Sequence, residues 1–242
     1  MNFHIAWQCV LIIVSVLFSG CSEATFSEPK STNAASNLEG EMFRFKKKSL
    51  LTLEDKIEKL AEVGVVVDPE RTIEEMLVSF NREEYELKGF DSLLFVLANE
   101  IESGPGAGAY FTNQLYTFDA ECIEDDGDYA RIAMRFAEMF QDEFEISEIA
   151  DKVDWDNNYA EMSFECGGKR YHKEFVLDGD WFDVSVIKLF IEASNDMNSQ
   201  RKIGFADSDG QEIYLSVMTP IQMKAFSELT GQVMRVLTTN DL

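Results

Sequence analysis

The chain has 242 residues, 45 acidic against 21 basic side chains, and a formal net charge of -24 at pH 7. That length allows one large domain or two small ones with proper cores. So acidic a surface repels phosphate backbones, which argues against nucleic acid as a partner; basic partners and divalent cations are permitted, and charge alone selects neither.

Residues Ile5 to Phe18 form an apolar run broken only by Gln8 and Ser15, and no Asp, Glu, Lys or Arg precedes Glu23. The run is shorter than a spanning helix and has the length of a signal-peptide core. It closes on Leu17-Phe18-Ser19-Gly20-Cys21, where small residues let an extended backbone enter a peptidase cleft. This ending resembles the lipobox of bacterial lipoproteins. Phe18 stands where that pattern prefers Leu, and the segment before the run carries no Lys or Arg. The resemblance implies a signal peptide over 1–20, cleavage after Gly20, and a membrane anchor of diacylglycerol and fatty acid (palmitate or a similar chain) on Cys21. Ser22 directly after the cysteine resembles outer-membrane sorting in a Gram-negative host. The expected location is therefore the cell membrane or outer membrane, lipid-anchored and facing the periplasm or exterior. Residues 21–41 are rich in Ser, Ala, Asn, Thr and Glu, the composition of a flexible tether.

Phe43-Arg44-Phe45-Lys46-Lys47-Lys48 is the basic cluster of the chain. It reads as a solvated segment or edge strand, with anionic headgroups as the alternative contact. Thr52 with Asp55, and Thr72 with Glu75, fit capping boxes. Behind them Leu53, Ile57, Leu60 and Ala61 share one helical face, and Ile73, Met76, Leu77 and Phe80 another. A third helix carries Phe90, Leu93, Leu94, Leu97, Ala98 and Ile101. These three make an expected helical module over 42–102. Ser103-Gly-Pro-Gly-Ala-Gly108 lacks the ending of a phosphate loop and reads as a linker over 103–109.

Beyond it the period changes. Leu115 to Ile123 alternates, and a helix from Tyr129 carries Ile132, Ala133, Phe136 and Phe140. Two strands then flank a turn near Asp156–Asn158, and Gly167-Gly168 makes a tight hairpin from Ala160–Cys166 into Arg170–Leu177. A helix follows from about Asp183, then strands Lys202–Ala206 and Glu212–Met218 joined by Asp209-Gly210, then a helix from Pro220 ended by Gly231. The expectation is an α+β fold: a small N-terminal helical module, then a domain over 110–242 whose mainly antiparallel sheet carries helices on one face, in the order β-α-β-β-β-α-β-β-α.

Catalytic signatures are missing. His172 is the one histidine beyond the signal segment, and no Gly-x-Ser-x-Gly, His-Glu-x-x-His or Cys/His metal spacing occurs. The sequence therefore assigns no catalytic residue, metal or cofactor, and reads His172 as a surface histidine. Cys122 and Cys166 fall in phase with apolar strand faces; an oxidising compartment allows a disulfide between them, and buried free thiols are the plainer account. Carboxylate runs at Glu124-Asp125-Asp126-Asp128, Asp151-Asp154-Asp156 and Asp178-Asp180-Asp183 match no calcium loop. Asp207-Ser-Asp209-Gly210 matches only half of one. Each run sits at a turn or helix start, where Asp bonds local backbone. Trp155, between Asp154 and Asp156, and Trp181, after Asp180, are the candidates for a partner surface. Stapling of a helix by Trp181 and Phe182 is the structural alternative.

Three functional expectations follow. The first is a non-enzymatic, lipid-anchored interaction module, an inhibitor, immunity-like factor or assembly accessory, presenting acidic and aromatic surface to an envelope protein with a basic or apolar patch. The second is an envelope hydrolase using paired carboxylates. The third is a purely structural envelope lipoprotein.

Overall fold

Both expected capping boxes form. The Thr52 hydroxyl accepts from the Asp55 N–H at 3.1 Å while the Asp55 carboxylate accepts from the Thr52 N–H at 3.0 Å, starting α1 (Leu53–Glu62). Thr72 and Glu75 repeat the arrangement ahead of α2 (Ile73–Ser79). A helix the sequence reading missed follows: α3 (Arg82–Leu87), capped by the Asn81 side chain. Only Tyr85 of its residues is buried, so it carries no apolar stripe to read. Next comes α4 (Asp91–Ala98). The computed structural model describes residues 50–101, 108–206 and 211–242. The signal segment, Cys21, the tether, the basic cluster at 43–48, most of the 103–109 linker and the Asp207–Gly210 turn lie outside the described residues.

The remainder runs β1 (Leu115–Asp119), α5 (Asp128–Phe140), β2 (Ile146–Asp154), β3 (Tyr159–Cys166), β4 (Lys169–Val176), α6 (Ile187–Asp196), β5 (Lys202–Ala206), β6 (Glu212–Met218), α7 (Pro220–Thr230) and β7 (Arg235–Val236). The class is α+β, and every strand pairing is antiparallel. The single expected sheet is instead two: a four-stranded sheet in the order β1-β6-β5-β7 and a three-stranded meander β2-β3-β4. Hairpin signals identify neighbours along the chain, such as β3–β4 and β5–β6. They carry no information on the pairing of β1 with β6, which places Leu115 opposite Ser216.

Gly167 and Gly168 sit at φ 59° and 76°, the positive values a two-residue hairpin turn needs at both central positions. Register follows from that turn: Cys166 faces Lys169, Ser163 faces His172, and Glu161 faces Glu174.

The four-stranded sheet is buried on both faces, which corrects the expectation of helices on one. Tyr116, Phe118, Ile203, Ile213, Leu215 and Val217 join a core with α5, α6 and the inner face of the three-stranded sheet. Leu115, Ala206, Tyr214 and Met218 join a second core with α1–α4 and with Met223 and Phe226 of α7. The N-terminal helices thus share their core with β1, β5, β6 and α7. Close approach there depends on Gly204, where an added Cβ would sit 2.4 Å from Ser216 Oγ and 2.9 Å from Met223 Sδ. Among the described residues no helix is long and apolar enough to cross a membrane.

Candidate functional site

The three carboxylate runs, far apart in sequence, meet at one end of the three-stranded sheet. Asp151 on β2 accepts from the Gly127 N–H with both oxygens, at 3.0 and 2.9 Å, and from the Ala130 N–H at 3.2 Å. Its charge therefore satisfies the open N-terminus of α5, where Gly127 itself offers no side-chain cap. In return Asp126 accepts from the Val153 N–H at 2.5 Å. Asp128 folds back on the Glu124 and Asp125 amides at 2.8 and 3.0 Å. The third run docks through its backbone: the Ile123 N–H donates to Asp180 O at 2.9 Å and the Phe182 N–H to Ala120 O at 2.6 Å. Asp183 caps the helical turn ahead of α6 by accepting from the Ser185 N–H at 2.8 Å.

These bonds use some of the acids and leave others free to face outward. Glu124, Asp125, Asp156, Asp178 and Asp180 are all exposed. Asp154 accepts from the Asn157 N–H and side-chain amide at 3.0–3.1 Å, and those bonds, with Lys152 beside it, hold its carboxyl below the usual range.

Both tryptophans hang on the same stretch of chain. The Trp155 indole N–H donates to Glu124 O at 2.7 Å, and Trp181 forms an isolated antiparallel bridge with Glu121. Each stays 43 % exposed, whereas Phe182 is buried against Phe118 and Tyr129. The staple is therefore Phe182 alone, and Trp181 is left on the surface, as is Val184 three residues on. Val176, at the end of β4, is exposed opposite Tyr159 at this same end of the sheet. The arrangement is two half-exposed tryptophans tied to one stretch, Trp155 through its indole and Trp181 through its backbone, among exposed carboxylates.

Cys122 and Cys166 are both free thiols, so the disulfide allowed by the sequence is not formed. They belong to opposite ends of the three-stranded sheet. Cys166 closes β3 seven residues beyond Tyr159, roughly 23 Å along a strand, while Cys122 lies on the stretch that holds the two indoles. Burial pushes the Cys122 thiol up to about 11 and raises that of Cys166, which makes neither a ready nucleophile.

A depression of about 360 Å³ lies at the far end, by the Gly167-Gly168 turn, with Glu145 and Glu165 among its lining. A glycosidase-type acid needs a carboxyl held above the ordinary range. Among the described residues, the carboxylates that are displaced (Glu54, Asp55, Glu75, Asp154, Glu161, Asp196 and Asp241) are displaced downward, so the hydrolase expectation gains no support from them.

One grouping escaped the sequence reading. His172 is an exposed histidine as expected, but its Nε2 lies 3.4 Å from Glu161 Oε2, with Glu174 alongside. The signal that finds it is the His172-x-Glu174 alternation, folded onto Tyr159-x-Glu161 by the register of the two-glycine turn.

Comparison with known proteins gives no family: no family model, no curated protein and no solved structure matches the chain.

Proposed function

We propose that this chain is a lipid-anchored envelope protein that works by binding, not catalysis, and that the end carrying Trp155 and Trp181 meets its partner. The observation that carries the reading is the pair of half-exposed tryptophans held at one stretch, Glu121–Glu124, Trp155 by its indole N–H and Trp181 by its backbone, among converging carboxylate runs. A fixed tryptophan supplies large apolar area at low entropic cost, and such residues dominate binding energy when covered. The surrounding acids, on a chain of net charge -24, steer a basic partner and fix its orientation. The partner is therefore an envelope protein presenting apolar surface ringed by Lys and Arg, as an inhibitor's, an immunity-like factor's or an assembly accessory's target would. Cys21 and the tether after it support the address, holding the domain near a membrane with about 20 residues of reach.

Two arms test the reading. Labelling with a fatty-acid analogue should mark the wild type and not Cys21→Ala; equal labelling ends the lipid anchor. Capture from envelope extract by the full chain should recover a partner that is lost from Trp155→Ala/Trp181→Ala and weakened at high salt. Each covered indole should contribute about 2 kcal/mol or more, roughly 30-fold in affinity apiece. Identical recovery by wild type and double variant would show that this surface does not bind the partner.

A further inference from the structure

The three-stranded sheet turns one face to the core and the other away from it. Ala160, Met162 and Phe164 of β3 and Tyr171 and Phe175 of β4 point into the core. The alternate residues, Tyr159, Glu161 and Ser163 with His172, Glu174 and Val176, therefore share the opposite face. Glu161 and Glu174 are directly opposite in register, an arrangement of like charges that destabilises an antiparallel pair unless a cation intervenes. Lys152 is the cross-strand neighbour of Glu161 on its other side, but its ammonium pairs with Asp154 at 3.4 Å.

His172 adds an imidazole to the two carboxylates. One donor atom from each of the three lies within 4.8 Å of the others. Donors around a tetrahedral zinc ion, with bonds of about 2.0–2.1 Å, stand roughly 3.4 Å apart. His172 Nε2 and Glu161 Oε2 already have that spacing, at 3.4 Å. Glu174 has to close by roughly 1.4 Å at most to match the same tetrahedral edge; its side chain is exposed and shares the Tyr159 hydroxyl with Glu161. The Tyr159 hydroxyl donates to Glu161 Oε2 at 2.6 Å, the kind of outer bond that orients a ligand carboxylate. Beside the pair is a depression of about 90 Å³, lined by Ser163 and Arg170 as well as Glu161 and His172. It leaves room on one side of the donors for water or a small ligand.

We propose that Glu161, His172 and Glu174 form a surface site for a divalent transition metal of the zinc type, with a fourth position open to solvent. Two carboxylates and an imidazole fit such an ion; calcium and magnesium call for six or more oxygens. Nothing in the partner-binding reading requires this site.

The test uses the full chain in detergent micelles, titrated with Zn²⁺ by calorimetry and with Co²⁺ as a visible-absorption probe, in excess Mg²⁺ and Ca²⁺. One equivalent of Zn²⁺ should be bound that His172→Ala and Glu161→Gln each weaken at least about 10-fold, with the tetrahedral Co²⁺ absorption lost in both. Both side chains are about 40 % exposed, so the variants should melt with the metal-free wild type. Asp125→Asn should bind as the wild type does. No saturable Zn²⁺ binding, binding displaced by Mg²⁺, or binding indifferent to His172→Ala would each overturn the proposal and leave only diffuse attraction of cations to an acidic surface.

Discussion

Phe190→Ala is expected to cost the fold about 3–5 kcal/mol, the usual range for emptying a phenyl site in a packed core. Phe190 on α6 stacks on Phe136 of α5 at 4.4 Å between centroids and on Phe164 of β3 at 4.7 Å, with interplanar angles of 18° and 17°. All three rings are at most 1 % exposed. One ring thus joins both inner helices to the three-stranded sheet, and its loss leaves a cavity that two fixed neighbours cannot collapse to fill. A domain of this size moves its melting temperature about 2–4 °C per kcal/mol, so a fall of roughly 6–20 °C is expected. Thermal unfolding followed by near-ultraviolet circular dichroism measures it. Ile221→Ala, at 82 % exposure on α7, is the control and should stay within about 0.5 kcal/mol. A Phe190→Ala melt within 2 °C of wild type would mean the ring stack is not where the core is tied together.

Lys56→Met should cost about 2–3 kcal/mol for a different reason. Lys56 sits on α1 at 3 % exposure, and its ammonium donates to the carbonyls of Tyr85 and Gly89, with Glu86 O at 3.5 Å. These are carbonyls at and just beyond the end of α3, which otherwise have few donors. Burial pushes the pKa of this lysine down, and the nearby Glu86 and Asp91 carboxylates oppose that. Methionine keeps the length and apolar body of the side chain but supplies no donor, so the buried carbonyls go unsatisfied. The denaturant midpoint should fall with unchanged slope, and amides of α3 and α4 should lose hydrogen-exchange protection. Lys224→Met, at an exposed position of α7, should do neither. Unchanged exchange in α3 would show that Lys56 does not hold that helix.

These two residues also mark where the sequence is legible and where it is not. Thr52 and Thr72 announce their helices because a capping box is a local pattern, and Pro220 and Gly231 bound α7 for the same reason. Gly167-Gly168 goes further: a two-residue turn fixes which residues face one another, so it already contains the pairing of Glu161 with Glu174. Lys56 looks like an ordinary helix-surface lysine in sequence, because its partners are 29 to 33 residues away. The same distance problem hides the partition into two sheets. It also hides the candidate site, since each aspartate run is explained by its own turn and only Asp151 reaching Gly127, and Trp155 reaching Glu124, bring the runs together. Trp155 and Trp181 could be singled out by their acidic neighbours; that both attach to Glu121–Glu124 could not.

On the proposed function, another protein covers this end of the sheet. A photoreactive amino acid placed at Trp155 or at Trp181 of the full chain, activated in intact cells, tests it most directly. A discrete cross-linked band is expected at both positions, containing one and the same partner, with no such band from Lys224 on α7. Cross-links that are absent at Trp155 and Trp181, or as strong from Lys224 as from either tryptophan, would contradict it.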